Sequence, residues 1–411
     1  MKKGFLSQYF EAIAAKRLQA VEVDPESSNQ HEINGVGVLK KVLGTERLSR
    51  HPVRMIWLGG ENEVFSEDSW ITWYDSRKNQ PRAAEFRLFY ASDSAVMDLA
   101  SEGNLFIIAK RPDGSLMIIV TPADSTIESQ LLWLFGVPVQ VGTSFEYRIF
   151  DRQDSEVDLA SRFILEELGI EIEDPDSDAL DRLLEKFSGS FPGTAKFSLL
   201  ARESLPDADP VSSPDATLLA WVEREEKLFR RLEKRIISER LQQGFSGSDG
   251  IDVDVDGFIS FSLSVLNRRK SRAGYSFEHH FEAILKAGSI NYSRQAITEN
   301  KSKPDFLFPG ITEYNDRNYP SGNLTMLGLK SSCKERWAQV LQEADRIPEK
   351  HLLTLEPGIS ESQTTRMAAS KLQLVLPEGI HDSYSASQQK WLMSVEDFLR
   401  LVSERQQRET I

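Results

Sequence analysis

The sequence predicts two domains of different class, a mainly-β N-terminal domain and an α/β C-terminal domain. At 411 residues the chain is too long for one ordinary domain. Its first part alternates short β-rich runs with turns, whereas its later part mixes long helical stretches with short apolar strands. Between them, residues 203–216 (ESLPDADPVSSPDA) have the composition of a linker. We therefore predict domains at residues 1–202 and 217–411.

Six β-rich runs separated by Gly, Asp, Asn and Pro define the predicted N-terminal domain. They are VRMIWL, SWITWY, AEFRLFY, NLFIIAK, SLMIIVTP and FEYRIF. Short strands at this spacing are typical of a small barrel or sandwich. Two amphipathic stretches follow, LASRFILEELGI and DALDRLLEKF, and we expect both helices to pack on the barrel.

The predicted C-terminal domain opens with a long helix, LLAWVEREEKLFRRLEKRIISERLQQGF. Its apolar residues Leu228, Leu232, Ile236 and Ile237 share one face. Helical and strand-like runs then alternate, namely FEHHFEAILKAG, DFLFPG, LTMLGLK, ERWAQVLQEADRI, HLLTL, LQLVLP and VEDFLRLVSERQQ. This alternation predicts an α/β domain.

Composition favours a folded intracellular protein. Forty per cent of the residues are hydrophobic, yet no run reaches the ~20 apolar residues of a membrane span. The single cysteine, Cys333, permits no internal disulfide and no cysteine-based zinc site, and polar residues interrupt any signal-peptide core, so we expect a cytoplasmic location. The net charge is −14, but residues 261–350 hold 14 Lys and Arg against 10 Asp and Glu. A basic DNA-binding cleft is therefore compatible with the sequence.

Asp305 and Lys330 form the most informative pair of polar residues. Asp305 follows Pro304 and precedes the short strand FLF, and Lys330 ends the strand LTMLGLK. Hydrolysis of a phosphodiester needs oxygen ligands for a divalent metal and a group that orients the attacking water. Two neighbouring strands could bring an aspartate and a lysine together for these tasks. On spacing alone, an ordinary strand-opening Asp and strand-end Lys remain the more frequent interpretation.

Glu343 is the candidate for a second acidic ligand. It lies 13 residues after Lys330, on the predicted helix ERWAQVLQEA. The apolar face of that helix consists of Trp337, Val340, Leu341 and Ala344. Glu343 would lie beside this face and could point at the site. The alternative is a solvated helical glutamate.

Three segments give these residues a family context: VLNRRKSRAGYSFEHHFEAIL, RQAITENKSKPDFLFPG and LKSSCKERWAQVLQEADRI. They resemble the catalytic domain of the EcoRII-type (type IIE) restriction endonucleases, from about residue 258 to 358. More weakly, WYDSRKNQPRAAEFRLFY and NLFIIAKRPDG resemble the DNA-binding pseudobarrel effector domain of that family. The resemblance implies a restriction-endonuclease-like PD-(D/E)xK fold for the C-terminal domain and a pseudobarrel for the N-terminal domain.

By this resemblance the chain is a Mg²⁺-dependent type II restriction endonuclease that cuts double-stranded DNA. Asp305 and Glu343 are then metal ligands, Lys330 is the catalytic lysine, and Glu278 matches a further acidic position. From the residues alone, Glu278 opens a helix whose inward side is apolar, and it could equally lie on a solvated face. The neighbouring His279 and His280 point apart on a helix and are expected to be packing or surface residues.

The triplet Lys334-Glu335-Arg336 resembles the family's base-reading element for CC/GG half-sites. Arg and Lys donate to guanine, and a carboxylate accepts from cytosine. A CCNGG or CCWGG-like site is expected. The central base stays open, because the stretch from Trp221 to Arg231 aligns poorly with the family's base-flipping residues. Without the resemblance, the triplet is a mixed-charge helical turn.

In the N-terminal domain a polar run is the candidate effector-DNA surface; its members are Arg77, Lys78, Arg82, Glu85 and Arg87. A charged, solvated hairpin edge is the alternative interpretation. The resemblance further implies a homodimer, activation by a second DNA copy, a front domain that blocks the cleft when effector is absent, and a cognate DNA methyltransferase in the same cell. An acidic run that starts at Asp252 resembles a calcium loop, but Leu263 stands where the closing glutamate belongs, so we interpret the run as an acidic loop.

Two other functions remain open at this point. The pseudobarrel could read a modified base, which would make the enzyme cut modified DNA. Alternatively, the chain could be a catalytically silent DNA-binding regulator, although the joint presence of Asp305, Lys330 and Glu343 favours an enzyme.

Overall fold

A computed structural model describes most of the chain: residues 4–24, 26–27, 31–34, 36–59, 64–138, 142–151, 156–172, 177–185, 187, 191–246, 253–333 and 336–408. Within these ranges, no helix has the length and hydropathy needed to cross a lipid bilayer. The helices and strands form a mainly-β N-terminal part and an α/β C-terminal part. Both predicted fold classes are confirmed.

The N-terminal part is built on one eight-stranded sheet. Its strands are β1 (Ala12–Arg17), β2 (Glu32–Ile33), β3 (Leu48–Leu58), β4 (Val64–Asp75), β5 (Phe86–Tyr90), β6 (Leu105–Lys110), β7 (Leu116–Thr121) and β8 (Glu146–Ile149). The order across the sheet is β2-β5-β4-β3-β7-β6-β1-β8. All described neighbours are antiparallel except β3 and β7.

Seven α-helices precede the C-terminal part in the described chain: α1 (Ala20–Val23), α2 (Lys40–Leu43), α3 (Ala95–Leu99), α4 (Thr126–Phe135), α5 (Leu159–Glu167), α6 (Ser177–Leu184) and α7 (Thr194–Glu203). The central strands bury both faces, which explains their continuous apolar runs. In β6, Phe106 and Ile108 belong to one core. Ile107 of the same strand belongs to a second core on the opposite face, and α4 and α5 cover that core.

The six predicted β-rich runs are confirmed as β3 to β8, but strand β1 was missed. Its sequence AIAAKR is rich in alanine, which is a weak β-former. The strand nevertheless lies between β6 and β8 and is almost wholly buried. Its Lys16 is fully buried because its Nζ lies 2.6 Å from Oε1 of the equally buried Glu22. Tertiary pairing therefore creates a strand where local propensity is low.

The C-terminal part contains a second, five-stranded mixed sheet with the order β13-β12-β11-β10-β9. Its strands are β9 (Ser293–Arg294), β10 (Phe306–Phe308), β11 (Thr325–Lys330), β12 (Lys350–Thr354) and β13 (Leu372–Val375). The described helices around it are α8 (Pro214–Gln243), α9 (Val255–Ala287), α10 (Ile311–Asn315), α11 (Trp337–Val340), α12 (Glu361–Ala369), α13 (Ala386–Gln389) and α14 (Val395–Gln407). The first three strands pair antiparallel, and β11, β12 and β13 pair parallel.

Gly328 in the middle of β11 allows α11 to pack closely on this sheet. A Cβ at that position would lie 3.0 Å from a methyl carbon of Val340. Val340 is fully buried in the C-terminal core. The glycine thus holds the segment after Lys330 close to the strand that carries Lys330.

The two predicted helices that follow the β-rich runs have different neighbours. Helix α5 packs on the N-terminal sheet, as expected. Helix α6 does not: together with α7 it packs on α8, in a cluster that includes Leu184, Phe197 and Leu228. The long helix offers α6 an apolar face that the sheet does not. The domain boundary at 203–216 stays a prediction, and Leu205 within it packs against the C-terminal core.

Candidate functional site

Asp305 and Lys330 meet at the junction of β10 and β11. Asp305 directly precedes β10, and its Oδ2 accepts a hydrogen bond of 2.7 Å from the backbone N–H of Leu329. The Nζ of Lys330, the last residue of β11, lies 3.5 Å from the same oxygen. The two side chains are partly exposed. The antiparallel pairing of neighbouring strands therefore brings together the two residues that the sequence singled out.

Glu343 joins them, but its local structure differs from the prediction. The expected helix ERWAQVLQEA ends at Val340, and Glu343 lies in the turn that follows. The buried Lys350 holds this turn, because its Nζ donates hydrogen bonds to the backbone carbonyls of Glu343 and Ala344. Ala344 has a φ of 48°, in the left-handed region. Glu343 is thus placed by a turn rather than by a helical face.

The electrostatic surroundings of Glu343 are unusual for a glutamate. Its Oε2 is buried and has no hydrogen-bond partner among the described residues. Burial, followed by the negative charge of Asp305, raises the pKa of Glu343 to about 7, against the opposing effect of Lys330 and Lys350. The carboxyl group is therefore close enough to Asp305 to feel its charge, and it lacks the partner that a buried carboxylate needs.

Glu278 also lies beside this pair, within α9 and not at the start of a helix as predicted. Helix α9 begins at Val255, well before the stretch with strong apolar periodicity. The Oε2 of Glu278 lies 2.6 Å from Nη2 of Arg294. Burial raises the pKa of Glu278, with a further contribution from Asp305, whereas Arg294 and Lys330 lower it. The structure therefore brings Glu278 into the same electrostatic group as Asp305.

The two neighbouring histidines serve packing, in line with the expectation. His280 is fully buried, with its Nε2 2.9 Å from Oε2 of Glu225. His279 has its Nδ1 3.3 Å from Oγ of Ser198. In the described part of the chain, no cluster of three His, Cys, Asp or Glu side chains forms a ready-made metal site.

Of the predicted base-reading triplet, only Arg336 lies within the described residues. Lys334 and Glu335 lie outside the described residues, as does Asp252 of the acidic loop. Arg336 is exposed, and its Nη2 donates a hydrogen bond of 3.2 Å to the carbonyl of Ser332. Asp254 of the acidic loop caps α9, since its side chain accepts from the N–H of Gly257.

A cavity of about 710 Å³ connects the site to the N-terminal part of the chain. Glu278, Asp305, Lys330 and Arg336 line one side of it. Helix α5 lines the other side, and its Glu166 lies 2.5 Å from Nη2 of Arg230 on α8. The site is thus faced by a helix that packs on the N-terminal sheet.

The predicted effector-binding residues gather around the β4–β5 connection. Lys78 and Arg82 are exposed. Arg77 and Arg87 are engaged within the protein, since Nε of Arg77 lies 2.6 Å from Oε2 of Glu85 and Arg87 pairs with both Glu85 and Glu32. This surface therefore exposes the cations of Lys78 and Arg82, whereas the charges of Arg77 and Arg87 are neutralised by ion pairs within the protein.

Sequence reasoning missed two residues of the site, Arg294 and Lys350. Both contact the candidate residues directly, Arg294 through Glu278 and Lys350 through the backbone of Glu343. Arg294 begins one of the segments that carry the family resemblance, which is the signal that could have found it. Lys350 gave no signal, because a strand-opening lysine is ordinarily solvated.

Comparison with known proteins finds relatives for the segment that holds this site. Residues 229–399 match the family model described as "EcoRII C terminal". The type II restriction enzyme EcoRII of Escherichia coli is 40% identical over 187 residues, which is 45% of each chain, and SsoII of Shigella sonnei is 26% identical over 151 residues, 33% of this chain and 48% of that protein. A solved structure titled metal-depleted Ecl18kI in complex with uncleaved, modified DNA superposes with a TM-score of 0.45 at 20% identity, over 57% of this chain and 85% of that one.

This chain spans about half the length of the curated relatives that it matches. The matched segment runs from within α8 to within α14 and holds Glu278, Asp305, Lys330 and Glu343. The similarity to the EcoRII C-terminal family thus covers residues 229–399, the segment that holds the candidate site.

Proposed function

We propose that this chain is a type II restriction endonuclease that hydrolyses phosphodiester bonds of double-stranded DNA in the presence of Mg²⁺. The observation that carries the proposal is the convergence of Asp305, Lys330 and Glu343 where β10 begins and β11 ends, within the segment that matches the EcoRII C-terminal family model. Three residues widely separated in sequence share one electrostatic environment there.

The donor set fits a divalent cation. Mg²⁺ is commonly held by one or two carboxylates, while phosphate oxygens and water supply the other ligands, so a group of three protein ligands is not required. Asp305 and Glu343 would be the protein ligands. The buried, unpartnered Oε2 of Glu343 and its pKa of about 7 describe a carboxyl that a nearby cation would stabilise in its ionised form.

When bound, the ion would supply charge neutralisation at the scissile phosphate. Lys330 brings three N–H donors to the same place. With its Nζ 3.5 Å from Asp305, it can hold a phosphate oxygen or orient the attacking water. Glu278, fixed by Arg294, adds a further acceptor beside Asp305.

For specificity we propose a site with CC/GG half-sites, of the CCNGG or CCWGG kind. Lys334, Glu335 and Arg336 follow the catalytic lysine directly in sequence and combine donors for guanine with an acceptor for cytosine. Arg336 lines the cavity that holds Asp305 and Lys330. Base reading and cleavage would therefore occur side by side.

We also propose that the enzyme acts as a homodimer. One chain holds one such site and cuts one strand, so a double-strand break at a symmetric sequence requires two copies. The N-terminal half of α9 exposes apolar residues on one side of the helix: Val255, Phe258, Ile259, Leu263 and Leu266. A face of this kind is typical of a protein interface, and a second copy of this chain is the occupant that cleavage of both strands requires.

The N-terminal domain is proposed to bind effector DNA and to restrain the cleft. The cavity of about 710 Å³ beside Asp305 and Lys330 is bounded in part by residues of α5. Helix α5 closes one side of it and pairs with α8 through Glu166 and Arg230. Effector DNA on the Arg77 to Arg87 surface would favour an arrangement in which α5 has moved away.

A cleavage assay tests the proposal. Plasmids with and without CCNGG sites are incubated with wild type and with Asp305→Ala and Lys330→Ala, in Mg²⁺ and in EDTA. Asp382→Ala and Lys390→Ala, both exposed, are matched controls. We expect wild type and controls to cut in Mg²⁺ only, and the first two variants to lose at least 10³-fold in rate, comparable with removal of a central catalytic group.

End sequencing of the products would give the recognition site, and matched methylated plasmids would reveal dependence on modification. Cleavage restricted to methylated DNA would replace our assignment with a modification-dependent nuclease. Tight DNA binding without cleavage under any of these conditions would replace it with a silent regulator. Equal cleavage by wild type and either active-site variant would show that the site is misassigned.

A further inference from the structure

The guanidinium of Arg294 joins two glutamates of α9 at the edge of the proposed active site. Its Nη2 lies 2.6 Å from Oε2 of Glu278, and its Nη1 lies 2.7 Å from Oε2 of Glu282. Glu282 is held in turn by the hydroxyl of Tyr292, which donates a hydrogen bond of 2.8 Å. Arg294 therefore uses both arms of its rigid fork to fix one face of the helix.

The backbone of Arg294 is tied to Asp305. Strand β9 pairs with β10 so that Arg294 lies opposite Phe306, the residue after Asp305. The N–H of the next residue, Gln295, donates to the carbonyl of Asp305 at 3.2 Å. The guanidinium also lies over the fully buried Phe306 ring, 5.7 Å from its centre. Arg294 thus spans the strand that presents Asp305 and the helix that presents Glu278.

The position of Glu278 depends on such a partner. Burial raises the pKa of Glu278 and the negative charge of Asp305 raises it further, so both disfavour the ionised carboxylate at this place. A mostly buried carboxylate at this place needs a partner to stay ionised. The guanidinium of Arg294 supplies the opposing charge and a fixed geometry. The Arg294 side chain is about one quarter exposed.

We propose that Arg294 is a positioning residue: by bridging Glu278 and Glu282, it holds the carboxylate of Glu278 beside Asp305 in the geometry that cleavage needs. This inference rests on the proposed nuclease function. Its alternative is that Arg294 binds a DNA phosphate directly. The occupation of both its terminal nitrogens by carboxylates argues against that alternative.

A double-mutant cycle tests the inference, with Arg294→Gln, Glu278→Gln and the double variant. Arg294→Gln is expected to lower the Mg²⁺-dependent cleavage rate about 10- to 100-fold, as loss of a supporting residue around a metal site does. In the Glu278→Gln background the same substitution should change the rate less than about twofold, because the group on which Arg294 acts is already gone. Lys286→Gln is the matched control; it removes a mostly exposed cation that also pairs with Glu282.

Two measurements in EDTA are independent of cleavage. Binding of a cognate oligonucleotide should be the same for wild type and Arg294→Gln within about twofold, since Arg294 is not a phosphate contact. The melting temperature should fall in Arg294→Gln, and the same substitution should lower it less in the Glu278→Gln background, because the carboxylate that pairs with Arg294 is already gone there. Arg294→Lys keeps a cation but not the fork, and we expect it to recover only part of the rate even if it folds like wild type.

Three results would overturn the positioning role in an active enzyme: equal losses from Arg294→Gln in both backgrounds, wild-type rates for Arg294→Lys, or a tenfold loss of DNA affinity in EDTA. The proposed function fails separately, through absence of cleavage by wild type. In that case the role of Arg294 in cleavage is overturned with it, whereas a non-additive melting temperature would still establish the ion pair as a structural one.

Discussion

Glu343→Gln should stabilise the metal-free protein at alkaline pH while abolishing cleavage. In the folded protein the pKa of Glu343 is raised to about 7, from an ordinary value of 4.5, because burial and Asp305 disfavour its charged form. Ionising it in the native state therefore costs free energy that the unfolded chain does not spend. The stability of the wild type is unaffected by this group below pH 4.5, falls as the pH rises toward 7, and stays lower above that.

The size of the effect follows from the raised pKa. The difference between 4.5 and about 7 corresponds to about 3 kcal/mol at ~1.4 kcal/mol per pH unit. Because Glu343 is only half-buried, solvent screening reduces this to about 1–2 kcal/mol. Because a glutamine is never ionised, the Glu343→Gln variant does not lose this free energy of unfolding. For a protein with domains of this size the gain is a rise of about 2–8 °C in melting temperature at pH 8.

Thermal denaturation of wild type and Glu343→Gln in EDTA at pH 5 and pH 8 measures the effect. We expect the two proteins to have nearly the same melting temperature at pH 5 and the variant to have the higher melting temperature at pH 8. The exposed Glu349→Gln is the control and should show no difference at either pH. Adding Mg²⁺ at pH 8 should reduce the difference in melting temperature between the two proteins, because the ion stabilises the wild type. A variant that is equally or less stable than wild type at pH 8 would refute the electrostatic account of Glu343.

The remaining predictions concern the supports of the site. Lys350→Met should lower stability by about 2–4 kcal/mol in denaturant titrations and slow cleavage more than tenfold, because it leaves two buried carbonyls without a donor; the exposed Lys390→Met should do neither. Glu166→Lys should raise the cleavage rate of single-site DNA up to about fivefold, the effect of about 1 kcal/mol, and an unchanged rate would exclude α5 as a restraint. Leu263→Glu should shift sedimentation toward the monomer, whereas Leu199→Glu on α7 should not.

The sequence alone predicts those strands and site residues whose local sequence pattern matches their environment in the folded protein. The strands β3 to β8 were predictable because their apolar runs are bounded by turn residues, and β6 and β7 in particular are buried on both faces of the sheet. Asp305 and Lys330 were predictable because each sits at the end of a short strand, and neighbouring strands bring such ends together.

Other features depended on partners that lie far away in the chain. The turn that carries Glu343 is held by the ammonium group of Lys350, and β1 exists because β6 and β8 flank an alanine-rich segment. The positions of Glu278 and α6 depend likewise on Arg294 and α8.

The sequence by itself thus determined the two fold classes and the principal candidate pair, because hydrophobic periodicity and turn chemistry are encoded within a few residues. The tertiary structure alone decided how Glu343 and Glu278 approach Asp305. A buried ion pair or a capped carbonyl stabilises a conformation only when both partners are already in place, and no local pattern records a partner that the folded chain brings from elsewhere.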